Sequence, residues 1–260
     1  MVAAQRCAAA AEGDATRPSV TAASFPSQPV CARRKARPRR VEPVGPQRHP
    51  SSRAERGKVL REFLSRARAG RDKRDFLLGR LPKRSVGAEI GVWKGEFSSR
   101  MLKLVRPTEL HLIDPWKYEP SFQGAWYGGS KSSQIEMDRI FESVRSRFAK
   151  ETAKGQVTIH RAPSQLAAQR FNDGYFDWVY IDGNHQYEFV TSDLESFAPK
   201  VRPGGLVCGD DYDRPAASWH KDGVTRAVDQ FLRTHEYELE EVREHQFIIR
   251  KPLATVARQL

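Results

Sequence analysis

Downstream of Pro82, short apolar runs alternate with longer stretches of helical period, and this alternation limits the fold more than any other feature of the chain. The runs Val86–Ile90, Leu110–Ile113, Val157–Ile159, Trp178–Ile181 and Leu206–Cys208 have the length and the β-branched or aromatic character of strands. Helical patterns fall near Glu96–Val105, Ser133–Lys150, Glu188–Phe197 and Val224–Thr234. Strands that alternate with helices form a parallel, doubly wound α/β sheet with right-handed crossovers. The end of the chain breaks the pattern. Tyr237–Val242 and Gln246–Ile249, separated by the polar turn Arg243–His245, read as a closing antiparallel hairpin. The expectation is a mostly parallel, seven-stranded sheet with a C-terminal hairpin, and no internal repeat is visible.

The N-terminal part cannot join that sheet. Residues 1–51 are rich in Ala, Pro, Ser and Arg and poor in large apolar groups, so burial cannot offset the entropy of ordering them. Up to Pro50 the tail holds nine basic residues, among them Arg33, Arg34, Lys35, Arg37, Arg39 and Arg40, against Glu12, Asp14 and Glu42. Half of the chain's net charge of +12 therefore sits there. The high charge thus says little about the folded part, which shows no aromatic-interleaved basic patch and argues against a nucleic-acid partner. The tail lacks an apolar core suited to secretion, although its Arg-rich, acid-poor composition resembles a transit peptide. Nothing downstream is long enough to span a membrane. Cys7, Cys31 and Cys208 are scattered and suggest neither a disulfide framework nor a zinc site, as expected of a cytoplasmic protein. From Ser52 onward Val59, Leu60, Phe63 and Leu64 recur at helical spacing, and Pro82 marks the break before the sheet begins. The folded domain is expected over 52–255.

The segment Val86-Gly-Ala-Glu-Ile-Gly-Val-Trp-Lys-Gly-Glu-Phe-Ser98 runs from a strand through a glycine turn into a helix. In an open α/β sheet, ligands bind beyond the carboxyl ends of the strands near the point where strand order reverses. Gly91 and Gly95 let the backbone turn and approach a ligand closely. Glu89 stands where an acid can receive a cationic amino group, and Asp114, ending the next strand, can hydrogen-bond both hydroxyls of a ribose. The spacing is not G-x-G-x-x-G, which counts against NAD and FAD.

This glycine loop resembles the first motif of class I S-adenosylmethionine (SAM)-dependent methyltransferases, with Asp114 as their ribose acid. The likeness extends from about Val86 to Lys251. It includes the terminal hairpin, Phe176-Asp-Trp-Val-Tyr-Ile-Asp-Gly-Asn-His185 on the fourth strand, and Val201-Arg-Pro-Gly-Gly-Leu-Val207 with its Arg-Pro-Gly-Gly turn between helix and fifth strand. It implies SAM as cofactor, with Glu89, Gly91, Gly95, Asp114 and Asp182 around it. Trp116 is then placed to stack on adenine, and Ser164, in Arg161-Ala-Pro-Ser164, lies where the family contacts that base.

Three carboxylates, Asp182, Asp210 and Asp211, fall at strand ends on one edge of the sheet. Hard divalent ions such as Mg²⁺ take such oxygen ligands, whereas Asp at a strand end also commonly fixes a loop. Asp210 and Asp211 can both serve only if the chain has left the strand at Gly209, since consecutive strand residues point to opposite faces. Left alone, three clustered carboxylates repel, so an ion or a basic partner is required. Asp182-Gly-Asn-His185 with Asp210-Asp211 resembles the macrocin and mycinamicin O-methyltransferases, which methylate sugar hydroxyls. That likeness implies Mg²⁺ on Asp182, Asp210 and Asp211 and His185 as general base. Asp210 departs from the pattern, since that family tends to use Glu there. Cephalosporin hydroxylase-like proteins share the metal arrangement.

Two aromatic segments border the same edge: Trp116–Gly129, expected to form a lid, and Tyr212–Lys221, in which Trp219 and His220 are candidates for acceptor contacts. The expectation is metal-assisted O-methylation of a small-molecule acceptor, a glycoside or polyol-like metabolite, with a homo-oligomer left open. The alternatives are a metal-dependent hydroxylase on the same scaffold and a non-catalytic SAM-binding protein.

Overall fold

The computed structural model describes residues 72–122, 126–130, 132–213 and 222–253. The basic tail, the helical pattern around Val59–Leu64, and Trp219 and His220 lie outside the described residues.

Seven strands form one sheet: β1 (Val86–Ile90), β2 (Glu109–Asp114), β3 (Val157–Arg161), β4 (Phe176–Ile181), β5 (Val201–Gly209), β6 (Glu238–Arg243) and β7 (Gln246–Arg250). Their spatial order is β3-β2-β1-β4-β5-β7-β6. β1 to β5 pair in parallel, and β7 lies antiparallel to both β5 and β6. This is the expected doubly wound α/β sheet with its C-terminal hairpin. Strand order reverses between β1 and β4, so their carboxyl ends open the crevice in which such sheets bind ligands.

The helices are α1 (Asp75–Arg80), α2 (Glu96–Leu104), α3 (Gln134–Arg147), α4 (Ala149–Ala153), α5 (Ser164–Ala168), α6 (Tyr187–Phe197) and α7 (Gly223–Thr234). They cover both faces. Leu77, Met101, Met137 and Val144 pack with Leu112, Trp178, Tyr180 and Ile248 on one side. Val190, Leu194, Phe197, Val228 and Phe231 pack with Ala88, Ile90, Ile181 and Val207 on the other. Burial on both faces is why the parallel strands read as continuous apolar runs. The edge strand β6 is mostly exposed and carries Glu238, Glu240, Glu241 and Arg243, a composition that discourages pairing with another chain.

Three local expectations are corrected. The helix expected over Ser133–Lys150 breaks at Phe148 (φ −104°, ψ 16°), giving α3 and the short α4. Ser133 caps α3 by accepting the Glu136 amide at 3.2 Å, in an S-x-x-E capping pattern. The Arg202–Gly205 segment, expected as a turn between helix and strand, belongs to β5. Phe176 pairs with Val201 and Trp178 with Leu206, so these four residues bulge opposite Asp177 alone. The short helices α1 and α5 had no expected counterpart, since neither is long enough to show a period. At α1 the chain turns extended at Leu81 (ψ 138°), as the residue before a proline must.

Candidate active site

Gly91 leaves β1 with φ +89°, and Gly95 begins α2 with φ +72°. A side chain at Gly91 would collide with the carbonyl oxygen of Asp182, and one at Gly95 would come within 2.7 Å of the Phe148 ring. Both positions therefore need glycine for conformation and for space. The loop is tied down by Asp114 at the end of β2. One carboxylate oxygen of Asp114 accepts the amides of Val92 (2.9 Å) and Trp93 (3.0 Å) and the hydroxyl of Tyr127. Its other oxygen accepts the Trp116 amide at 2.7 Å. Burial pushes the Asp114 carboxyl above the usual carboxylate range, against the pull of these donors.

Glu89 lies on β1 and is 1% exposed. Ser98, one turn into α2, donates its hydroxyl to it. Burial, joined by the charges of Asp182 and Asp114, pushes its pKa up to about 8, so the resting acid carries a proton at neutral pH. An arriving cation favours its ionised form.

The second half of the site sits at the ends of β4 and β5. The Asp182 amide donates to Ile90 O at 2.8 Å, which locks the β4 loop to the end of β1. Asp182 Oδ1 lies 3.3 Å from His185 Nε2, and its Oδ2 lies 3.3 Å from Arg74 Nη1. His185 Nδ1 lies 2.7 Å from Asp211 Oδ2. β5 ends at Gly209 and Asp211 has φ +63°, so the chain has left strand geometry at the acidic pair. Asp210 Oδ1 accepts the Asp211 amide at 2.8 Å and the side-chain amide of Gln246, whose oxygen in turn accepts the Tyr180 hydroxyl at 2.8 Å.

The electrostatics follow from this crowding. Burial, together with the charges of Asp182 and Asp211, pushes Asp210 up to about 6. Burial of His185 opposes its charge, but hydrogen bonds and charges from Asp182 and Asp211 outweigh it and raise the imidazole to about 10. His185 thus offers each ring nitrogen to a carboxylate, Nε2 to Asp182 and Nδ1 to Asp211, an arrangement that favours its protonated form. The carboxylate cluster thus has basic partners, His185 and Arg74. Among the described residues, no three His, Cys, Asp or Glu side chains are arranged to hold a metal. To hold the Mg²⁺ that the family resemblance implies, Asp182 and Asp211 would have to exchange these partners for the ion.

Two candidates take other places. The Trp116 ring is 0% exposed, packs on Phe141 and donates its indole N–H to Trp93 O at 2.9 Å, so it is a core group rather than an open stacking face. Ser164 opens α5 and donates to Asp193, a buried acid of α6 pushed up to about 7 by its burial. Sequence reasoning passed over Arg74, Trp93 and Gln246. Arg74 precedes the strand–helix alternation, Trp93 hides among the loop glycines, and Gln246 reads as a hairpin residue. Trp93, on the glycine loop, meets Trp126 and Tyr127 of the Trp116–Gly129 segment at centroid distances of 5.3 and 5.0 Å.

Residues 88–212 match a family model described as a methyltransferase domain. The chain carries a methyltransferase domain. The protein is accordingly a SAM-dependent methyltransferase. Several solved structures are similar to this chain at low identity. A putative caffeoyl-CoA O-methyltransferase from Staphylococcus aureus is 16% identical, with a TM-score of 0.50 over 75% of this chain and 91% of its own. The O-methyltransferase NovP is 20% identical, with a TM-score of 0.47 over 68% and 75%. A 1,6-didemethyltoxoflavin-N1-methyltransferase from Burkholderia thailandensis, bound to S-adenosylhomocysteine, is 14% identical, with a TM-score of 0.46 over 79% and 93%. No curated protein matches the methyltransferase chain. Among its described residues, no helix is long and apolar enough to cross a membrane.

Proposed function

We propose that this methyltransferase moves the methyl group of SAM to a hydroxyl oxygen of a small, glycoside or polyol-like acceptor in the cytoplasm. The observation that carries the proposal is the contact between its two halves. Gly91 of the cofactor loop lies against the Asp182 carbonyl, three residues before His185. A cofactor cradled by Glu89, Gly91, Gly95 and Asp114 would thereby present its methyl group beside the acid–histidine cluster. An alcohol is a poor nucleophile at neutral pH, so the acceptor must lose its proton as the carbon–oxygen bond forms. His185 is the group for that task once the acceptor or a cation relieves it of its carboxylate partners. The enzyme otherwise supplies alignment of the oxygen with the sulfur–methyl bond. The likeness of Asp182-Gly-Asn-His185 and Asp210-Asp211 to the macrocin and mycinamicin O-methyltransferases supports a sugar-like hydroxyl.

A second reading adds a divalent ion on Asp182, Asp210 and Asp211. It is favoured by the geometry: His185 bridges Asp182 and Asp211 at 3.3 and 2.7 Å, and Asp210 accepts the Asp211 amide at 2.8 Å, so the three acids share one end of the sheet. Mg²⁺ there would polarise the hydroxyl. Incubation with methyl-labelled SAM and a panel of glycosides and polyols, with and without Mg²⁺, tests both readings. Label on oxygen supports the proposal, and label only on nitrogen or carbon acceptors contradicts it. Turnover unaffected by chelator removes the ion.

A further inference from the structure

The carboxyl ends of β1, β2, β4 and β5 gather Glu89, Asp114, Asp182, Asp210 and Asp211, and this acidic set suits the cationic ammonium and sulfonium of SAM. The methionine end of SAM also carries a carboxylate, which such a set repels. Among the described residues, the cations that touch it are His185 and Arg74. His185 already has a carboxylate on each ring nitrogen.

Arg74 is built differently. Its Nε and Nη2 are held by Asp72 at 3.1 and 3.0 Å, which fixes one edge of the guanidinium. Its plane lies over the Phe97 ring, with Cζ 3.9 Å from the centroid. Phe97 is in the first turn of α2, the nine-residue helix that follows the glycine loop, so the guanidinium stands beside a helix N-terminus, where carboxylates are also favoured. Nη1 reaches Asp182 at a long 3.3 Å, and the guanidinium also meets the buried Tyr180 hydroxyl, so with five N–H groups the fork still has a donor to offer a ligand. Its side chain is 25% exposed, so a ligand can reach it. Arg74 precedes the matched residues 88–212, and the family model therefore says nothing of it.

We propose that Arg74 binds the carboxylate of the methionine end of SAM, exchanging its loose contact with Asp182 for a charge-assisted pair with the cofactor. The proposal rests on SAM being the cofactor. Asp72 and Phe97 keep the guanidinium in place, and Asp182, released from Arg74, is free to face the acceptor side.

The test compares S-adenosylhomocysteine with its decarboxylated analogue, S-adenosyl-3-thiopropylamine, which keeps the ammonium. Both are titrated by calorimetry into the full chain and into its Arg74→Ala and Arg74→Lys variants. The wild-type protein is expected to prefer S-adenosylhomocysteine by about tenfold or more. Arg74→Ala should erase that preference by weakening S-adenosylhomocysteine alone, and Arg74→Lys should restore part of it. Equal loss of both ligands in Arg74→Ala, with no rescue by Lys, would make Arg74 a structural residue and overturn the proposal. An unchanged preference would overturn it too. Binding of neither ligand by the wild-type protein would instead remove the SAM reading itself.

Discussion

Gly91 and Asp182 touch backbone to backbone: a side chain at Gly91 has no room beside the Asp182 carbonyl, and the amide of Asp182 donates to Ile90 O at 2.8 Å. The glycine loop and the loop that carries His185 are therefore one unit. A change in either displaces the other.

Gly91→Ala tests that unity. The new methyl group meets backbone atoms that cannot yield, at a φ of +89° that L-residues rarely adopt. The variant should lose about 2 kcal/mol or more of stability and most of its SAM affinity together. Thermal unfolding and calorimetry on one preparation check this, and loss of affinity without loss of stability would separate the two loops.

Asp114→Asn keeps the shape of the side chain and removes its charge. Asp114 accepts hydrogen bonds on both oxygens, from Val92 and Trp93 on one side and Trp116 on the other. An amide offers one acceptor, so its NH₂ must face an N–H whichever way it turns. The glycine loop should loosen, and SAM affinity should fall by about thirtyfold, equivalent to about 2 kcal/mol. Unchanged affinity would show that Asp114 does not anchor the loop.

His185→Gln separates chemistry from binding. A group that removes the acceptor proton contributes about 10²–10⁴-fold to the rate. The variant should lose a factor in that range from kcat while its dissociation constant for SAM stays within about threefold. An equal weakening of SAM binding would assign His185 to holding the Asp182 loop.

Acid should weaken the fold through a pair of buried histidines on β2 and β3. His111 Nδ1 and His160 Nε2 lie 3.0 Å apart on β2 and β3, both buried. Burial lowers His111 and, with the charge of neighbouring His111 and Arg170, lowers His160 to about 4. The unfolded chain takes up protons near the ordinary value of about 6.5, and the folded chain does so only below it. The pair's contribution is thus present above pH 6.5 and is lost as pH falls toward 4. Urea unfolding at pH 7, 5.5 and 4.5 should show that decline, with a shallower slope in His160→Gln. Identical slopes would exonerate the pair.

Much of this fold was legible because its physics is periodic. β1 matches its sequence expectation residue for residue, and the other strands differ chiefly at their ends, since burial on both faces writes itself into the chain as apolar runs. The hairpin is legible in its two β-rich segments. The site was legible where backbone geometry demands a residue type, as at Gly91 and Gly95, and where acids follow strands, as at Asp114, Asp182 and Asp210. The partnerships were not. No spacing tells that Arg74 crosses to Asp182, that Gln246 reaches Asp210 from the hairpin, or that His185 is shared by two carboxylates, because each pairing depends on tertiary packing. Trp116 shows the same limit. Its place after Asp114 suggests a ligand platform, and only the packing of Phe141 and the reach of its indole to Trp93 O reveal a core residue.

The most direct test of the central claim is calorimetric titration of SAM into the purified full chain, with NAD as control. Saturable, one-to-one SAM binding with no response to NAD is the expected result. Absence of SAM binding, with or without Mg²⁺, would contradict it.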